Sequence, residues 1–380
     1  MGVKRTRALL HWCRAVVGGS VFCVANDAAH VDVEESITTV PWIDRFSSDG
    51  PDAVARSVGV IEDVTSPTGG RIEGGVEVTS GEFEIRGTVT MPDDGTQDFV
   101  VSSEAATVEV RSGGFVQLPS TAGGVISDGS LLVSGGGEVW VSDAGSTVRA
   151  GRVDIGSFGG GDSLMTVAGN GLLDVTLGSD PIVVVGFADG ETEGTLLISS
   201  NGDVVTKRVG VGILPNNSGT VMLEGSGSTL EAENMRLGGI NPQQFGGVGH
   251  LTITDGGEVT LSSVVEIFTQ DSSLTVDGGV LTTPRITPIG GINPVVAISD
   301  GSIGSALVLT QGSGASTIDF EITDAAGGPG SILKTGTGTL NLASDATYSG
   351  GMTVTAGPVR LQDPARQFTS LTGSGPVDFQ

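Results

Sequence analysis

The sequence predicts an all-β fold, a right-handed parallel β-helix (β-solenoid) with a short N-terminal cap, and three observations carry that reading. A unit recurs through the middle of the chain: a short apolar/polar alternation, a Gly-rich turn, a second short strand closing on Gly, then a polar loop. Its clearest strand endings, Val153-Asp154-Ile155-Gly156, Val183-Val184-Val185-Gly186, Val209-Gly210-Val211-Gly212 and Met235-Arg236-Leu237-Gly238, are spaced by 30, 26 and 26 residues. Periods of that size mark stacked repeats. The strands are β-branched and bounded by Gly, Ser, Asn and Asp instead of helix caps, so the stack is built from strands. With 63 glycines and only 4% Phe, Trp and Tyr, the 380-residue chain is rich in turns and poor in large anchors. A solenoid of this length grows along one axis and needs no division into separate cores.

Taken in order, residues 1–25 read as a signal peptide: Met1-Gly2-Val3-Lys4-Arg5-Thr6-Arg7, an apolar stretch from Ala8 to Val24 interrupted by His11, Trp12 and Arg14, then small residues at Ala25, Ala28 and Ala29. The uninterrupted apolar run is too short to span a bilayer, so no membrane span is expected in the mature chain. Cys13 and Cys23 are the two cysteines and both lie in this segment, which leaves no disulfide framework or thiol chemistry after cleavage. Phe22 stands where a small residue precedes an acylated cysteine, which argues against a lipid anchor at Cys23.

Residues 26–71 lack the repeat and read as a leader and N-terminal cap, with Trp42 to Phe46 as a lid over the first coil, because an uncovered coil end exposes unpaired backbone groups. From about residue 72 to 330 the alternation takes over. Val76-Glu77-Val78 and Phe83-Glu84-Ile85 flank Thr79-Ser80-Gly81, and Val108-Glu109-Val110 precedes Arg111-Ser112-Gly113-Gly114. The pattern becomes regular with Leu131-Leu132-Val133, Leu164-Met165-Thr166-Val167, Leu196-Leu197-Ile198, Leu251-Thr252-Ile253 and Leu274-Thr275-Val276, each followed by a Gly-containing turn. Alternation sends one set of side chains inward and the other outward. The apolar gain of one coil is smaller than the entropy lost in ordering its backbone, so a coil folds only against its neighbours. The polar loops Ser157 to Asp162, Phe187 to Gly194, Ile213 to Gly219 and Gly239 to Gly249 vary in length while the strands keep their pattern, which reads either as the place for any recognition surface or as unselected filler.

The stretch Leu333-Lys334-Thr335-Gly336-Thr337-Gly338-Thr339-Leu340-Asn341-Leu342, continuing to Tyr348-Ser349-Gly350-Gly351-Met352-Thr353-Val354-Thr355-Ala356-Gly357, resembles the autotransporter-associated β-strand repeat. Asp143-Ala144-Gly145-Ser146-Thr147-Val148 and Gly225-Ser226-Gly227-Ser228-Thr229-Leu230 resemble the Gly-Ser-Thr-Leu unit of the same passengers. The resemblance covers roughly residues 130 to 361, with residues 331–380 read as the carboxy-terminal repeat. It implies a parallel β-helix passenger, extracellular or on the outer cell surface, with structural or adhesive roles commoner than catalytic ones. Two departures stand out: Pro358 replaces a small polar residue, and the 23 residues after Gly357 are too few for a membrane barrel.

Charge narrows the partners. The net charge is −26, and residues 1–25 carry four basic and no acidic side chains, so the remainder stands at −30. Phosphate backbones are repelled and no nucleic acid is expected. A surface polysaccharide, another surface protein and end-to-end self-association of the rod remain as partners.

No catalytic, cofactor or metal residues are assigned, and the chain is read as no enzyme. A serine nucleophile needs a histidine base, and neither His30 nor His250 sits near a Ser and an Asp in sequence. Two histidines make no zinc set. Gly159-Gly160-Gly161-Asp162 approaches a calcium nonapeptide but is unrepeated, and Asp93, Asp94 and Asp98 read as a solvated acidic turn sooner than a calcium site. The alternatives are a polysaccharide-acting lyase or hydrolase, which requires a lateral groove with converging carboxylates plus Arg or Lys, and a carbohydrate-binding module, which requires exposed aromatics. Trp140 alternates with Val139 and Val141, and it faces either outward, as the best single contact, or into the core.

Overall fold

A computed structural model of the chain describes residues 45–47, 52–56, 59–61, 75–90, 98–118, 130–157, 160–187, 192–241, 244–292, 294–299, 307–310, 315–318, 321–326, 328–342, 349–361, 371–373 and 375–379. The segment expected to be a signal peptide, with its cysteines, the expected lid at Trp42, Asp93-Asp94 and Tyr348 lie outside these residues. Among the described residues there is no α-helix, and the chain is a β-solenoid.

Two long sheets make up most of the stack, and a 4-stranded parallel sheet of Ala315–Ile318, Thr339–Leu342, Val359–Leu361 and Val377–Phe379 joins them at the carboxy end. One has 11 parallel strands, from Gly59–Ile61 to Glu321–Asp324. The other, of 21 strands, has two arms: Thr147–Arg149, Leu172–Val175 and Asp203–Thr206 stack in one, and Arg152–Ile155, Ile182–Val185 and Arg208–Val211 in the other. Thr229–Leu237 and Glu258–Ile267 run through both arms, bending where the register shifts between Ala232 and Asn234. A central coil thus shows three faces. At the amino end Arg45–Ser47 pairs antiparallel with Asp52–Arg56, which in turn lies parallel to Gly75–Val78.

The alternation read from the sequence is the inward/outward alternation of the fold. Leu196 and Ile198, Val204, and Val209 and Val211 of one coil lie on Val221 and Leu223, Leu230, and Met235 and Leu237 of the next, all at most 1% exposed. Each rung adds the same ladder of hydrogen bonds and the same apolar area to its neighbour, so stability accumulates between coils instead of within them.

The closing glycines have a double reason. Gly186 and Gly212 sit at φ of +73° and +59°, where side chains are strained, and a Cβ would lie 2.3 Å from the Ser218 carbonyl oxygen and 1.9 Å from that of Val248. Their N–H groups donate to Ile155 and Val185 of the coil beneath at 2.7 Å. Between the 11-stranded sheet and the next arm, the same left-handed conformation is taken by Asp143, Asn170, Asn201 and Asp255, the residue types that tolerate it best.

Candidate functional site

The face formed by Arg152–Ile155, Ile182–Val185, Arg208–Val211 and Asn234 to Leu237 departs from a plain solvated surface. Its inward rows are Val153, Val183, Val209, Met235 and Ile155, Val185, Val211, Leu237. The outward rows run Arg152, Ile182, Arg208, Asn234 and Asp154, Val184, Gly210, Arg236, Glu266. Asp154 and Val184 point outward and are nevertheless fully buried. The residues that follow the closing glycines fold back over them: Phe187 after Gly186, and Ile213, 4% exposed, after Gly212. Gly210 leaves room for this return, since a Cβ there would stand 3.0 Å from Cγ2 of Ile213.

Between these loops and the strands lies a groove of about 210 Å³, walled by Ile182, Phe187, Ile213 and Ile240 and carrying Arg152, Arg208, Arg236 and Asn234. Each arginine is matched by a carboxylate: Arg152 Nε donates to Asp154 at 2.8 Å, Arg236 Nε donates to Glu266 at 2.8 Å, and Arg208 donates to Asp180. The Arg152 guanidinium also stands 5.4 Å from the Phe187 ring centre. Burial pushes the Asp154 carboxyl up, against the pull of Arg152. Three buried polar atoms of this face, Asp154 Oδ1, Arg208 Nε and Asn234 Oδ1, have no hydrogen-bond partner among the described residues.

Trp140 faces outward and is half-exposed, beside Glu109 and Thr166 on neighbouring strands, with its indole N–H 3.4 Å from Glu138. His250 is half-buried on the outer side of the 11-stranded sheet, and its Nδ1 lies 2.8 Å from Ser273 Oγ one coil on. Sequence separation had hidden that pair, which register alone creates. Asp98 accepts the N–H of Ser130, and Asp162 is exposed after the turn at Gly160 and Gly161. No group of three or more His, Cys, Asp or Glu side chains suited to a metal occurs among the described residues, and no described helix is long and apolar enough to cross a membrane.

Sequence reasoning named the loops that wall the groove but passed over its arginines. Their signal was present: Arg152, Arg208 and Arg236 each adjoin an inward residue of a quoted strand ending, so alternation sends them outward on successive coils.

The carboxy-terminal coils differ in construction. Lys334 lies in the inward row between Ile332 and the next turn, fully buried, with Nζ donating to the carbonyls of Thr335 at 2.7 Å, Gly336 at 2.8 Å and Ala356 at 3.1 Å. All three ammonium donors are therefore used. Burial lowers its pKa.

Residues 332–361 match the family Passenger-associated-transport-repeat. No curated protein and no solved structure matches the chain. The matched repeat and the β-solenoid together fit an autotransporter passenger-like repeat protein, the class that the carboxy-terminal motif pointed to.

Proposed function

We propose that the chain is an exported, non-catalytic surface protein whose rod serves a structural or adhesive role, extracellular or at the outer cell surface. The observation that carries this reading is the continuity of the matched repeat with everything before it. Ile332–Thr335 pairs in parallel with Leu307–Thr310 on one side and Met352–Val354 on the other, so the passenger-type repeat is one more set of rungs in the same ladder. Further support comes from the groove face, where Asp154 and Glu266 are tied to arginines and Asp154 is buried beyond the reach of a glycosidic oxygen. The strong negative charge suits a soluble exterior that repels other anionic polymers.

Cell fractionation of a producing bacterium, with the amino-terminal sequence of the recovered chain, tests the reading. The expected result is a chain in the outer-surface or medium fraction that begins near residue 26. Recovery of the intact Met1 form in the cytoplasm contradicts it.

A further inference from the structure

We propose that the flat outer face of the 11-stranded sheet is a docking surface for a neutral polysaccharide lying along the rod, a proposal that rests on the surface-protein reading above and names a partner for it. Six consecutive strands, from Glu138–Val141 to Ser273–Asp277, stack here in parallel register. One outward row runs from Trp140 through Thr166, Leu197, Met222 and Thr252 to Thr275, and the row beside it from Leu164 through Thr195, Thr220 and His250 to Ser273. Neither row holds an Asp, Glu, Lys or Arg. Every one of these side chains except Thr166 is partly exposed, so a ligand can reach the face. The 21-stranded sheet differs: its outward rows carry Arg149, Asp174, Asp203 and Glu231 in one arm and Arg152, Arg208 and Arg236 in the other. Carboxylates border the uncharged rows, Asp162 and Glu193 on one edge and Glu224 and Asp277 on the other. Residues 137–143, 161–169, 192–201, 217–226, 247–256 and 271–278, which form these strands and their ends, include no Lys or Arg.

Charge and shape choose among occupants. A uronate, a phosphate polymer or a nucleic acid would meet carboxylates on both edges and no cation between them. A compact small molecule needs a concave site to bury it, whereas a flat face rewards a long ligand that touches coil after coil. The six strands cover roughly 24 Å of the rod at the strand spacing. An extended peptide adds to a free strand edge, and each of these six strands already has a neighbour on both sides. A second copy packed face to face would bring two acidic borders together. A neutral glycan meets none of these objections. Its hydroxyls donate and accept, which matches Thr195, Thr220, Thr252 and Thr275 and lets the bordering carboxylates accept as well. The C–H faces of its rings match the apolar surfaces of Trp140, Leu197 and Met222.

The test uses the purified full chain and immobilised hexasaccharides of glucose, mannose and N-acetylglucosamine, with a galacturonate hexasaccharide beside them. The expected result is retention on at least one neutral hexasaccharide, with little change between low and high salt. Met222→Glu and Thr220→Glu put a charge in the middle of the rows and should each weaken retention by roughly tenfold or more. Trp140→Ala and Thr220→Val add no charge and should each weaken it by roughly threefold, which keeps the proposal testable if a glutamate variant fails to fold. Thr282→Glu, the same kind of change on the outward side of the other sheet, should leave it unchanged. Retention on no neutral probe, retention confined to galacturonate, or retention indifferent to the four variants of the face overturns the proposal. So does a concentration-dependent dimer that Met222→Glu dissolves without any glycan retention, which gives the face to a second copy. A chain found at the cell surface that binds none of the neutral probes removes this proposal alone, whereas cytoplasmic recovery removes the reading beneath it.

Discussion

The central coils and the carboxy-terminal coils share one ladder but solve the turning of the chain differently. In the centre, one circuit takes 31 residues from Leu172 to its partner Asp203, 26 from Asp203 to Thr229 and 29 from Thr229 to Glu258. Near the end it takes 20 from Ile332 to Met352 and 19 from Met352 to Leu371. Wide coils fill their interior mainly with apolar side chains: Val221, Leu223, Leu230, Met235 and Leu237 in one circuit. The narrow coil around Ile332, Leu340 and Leu342 admits an ammonium, Lys334, whose three donors gather carbonyls from its own turn and from the next coil. Here three carbonyls converge on one buried cation, which has a donor for each of them. Rung spacing is set by the backbone ladder, while the number of residues in a circuit varies with the loops and corners that join the strands.

The comparison breaks most sharply at the closing glycines. Gly212→Ala puts a Cβ 1.9 Å from the Val248 carbonyl oxygen at a φ of +59°, and the expected loss is on the order of 3 kcal/mol or more. Gly113→Ala, at φ +84° with nothing within 4 Å, is expected to cost only about 1 kcal/mol. Thermal and denaturant unfolding of the two variants checks the difference, and equal losses would mean that contact with the next coil is not what holds the glycine.

Lys334→Met comes next in size. It keeps the volume and the apolar stem but withdraws the donor from three carbonyls, with an expected loss of about 2 to 4 kcal/mol. Hydrogen exchange should localise the loss to residues 332–361 and leave the central coils protected.

Two pH dependences of the same sign, one in the acid range and one in the alkaline range, sharpen the contrast between the ends of the molecule. Glu84 is held below the ordinary carboxylate range by its hydrogen bond with Arg111, against burial and with help from Arg86. Its contribution is present above an unfolded pKa near 4.5 and is lost as pH falls through the lower folded value. For Lys334 the unfolded chain binds the proton more tightly in the window just below 10.5, so stability rises as pH climbs through that window. Local hydrogen exchange across pH checks both: Glu84→Gln should flatten the acid response of the amino-terminal coils, and Lys334→Met the alkaline response of the last ones. The smallest effect belongs to Trp140→Ala, which removes an outward, half-exposed ring and should shift stability by less than about 1 kcal/mol.

Much of this was legible in the residues. Val153, Val183, Val209 and Met235 announced both the repeat and its stacking order, because a period-2 pattern closing on Gly has few other uses. The Lys334 to Leu342 motif announced the passenger class. What stayed hidden depends on register. Arg208 and Asn234 are 26 residues apart, and only the coil length brings them side by side, just as it joins His250 to Ser273. Loop return was hidden too: nothing local says that Ile213 folds back over Gly210 to bury an outward face.

Cysteine pairs placed in register test the central claim most directly, in a chain whose Cys13 and Cys23 are changed to Ser. Thr195 and Thr220 are parallel partners on the outer face of the 11-stranded sheet, and Asn341 and Arg360 are partners in the carboxy-terminal coils. Adjacent strands bring such Cα atoms about 4.8 Å apart, within disulfide reach. The account predicts rapid intramolecular cross-linking of Thr195→Cys with Thr220→Cys and of Asn341→Cys with Arg360→Cys, and little for Thr195→Cys with Met222→Cys, two residues out of register. Equal cross-linking in and out of register, or none in either partnered pair, would contradict a single stack of parallel coils.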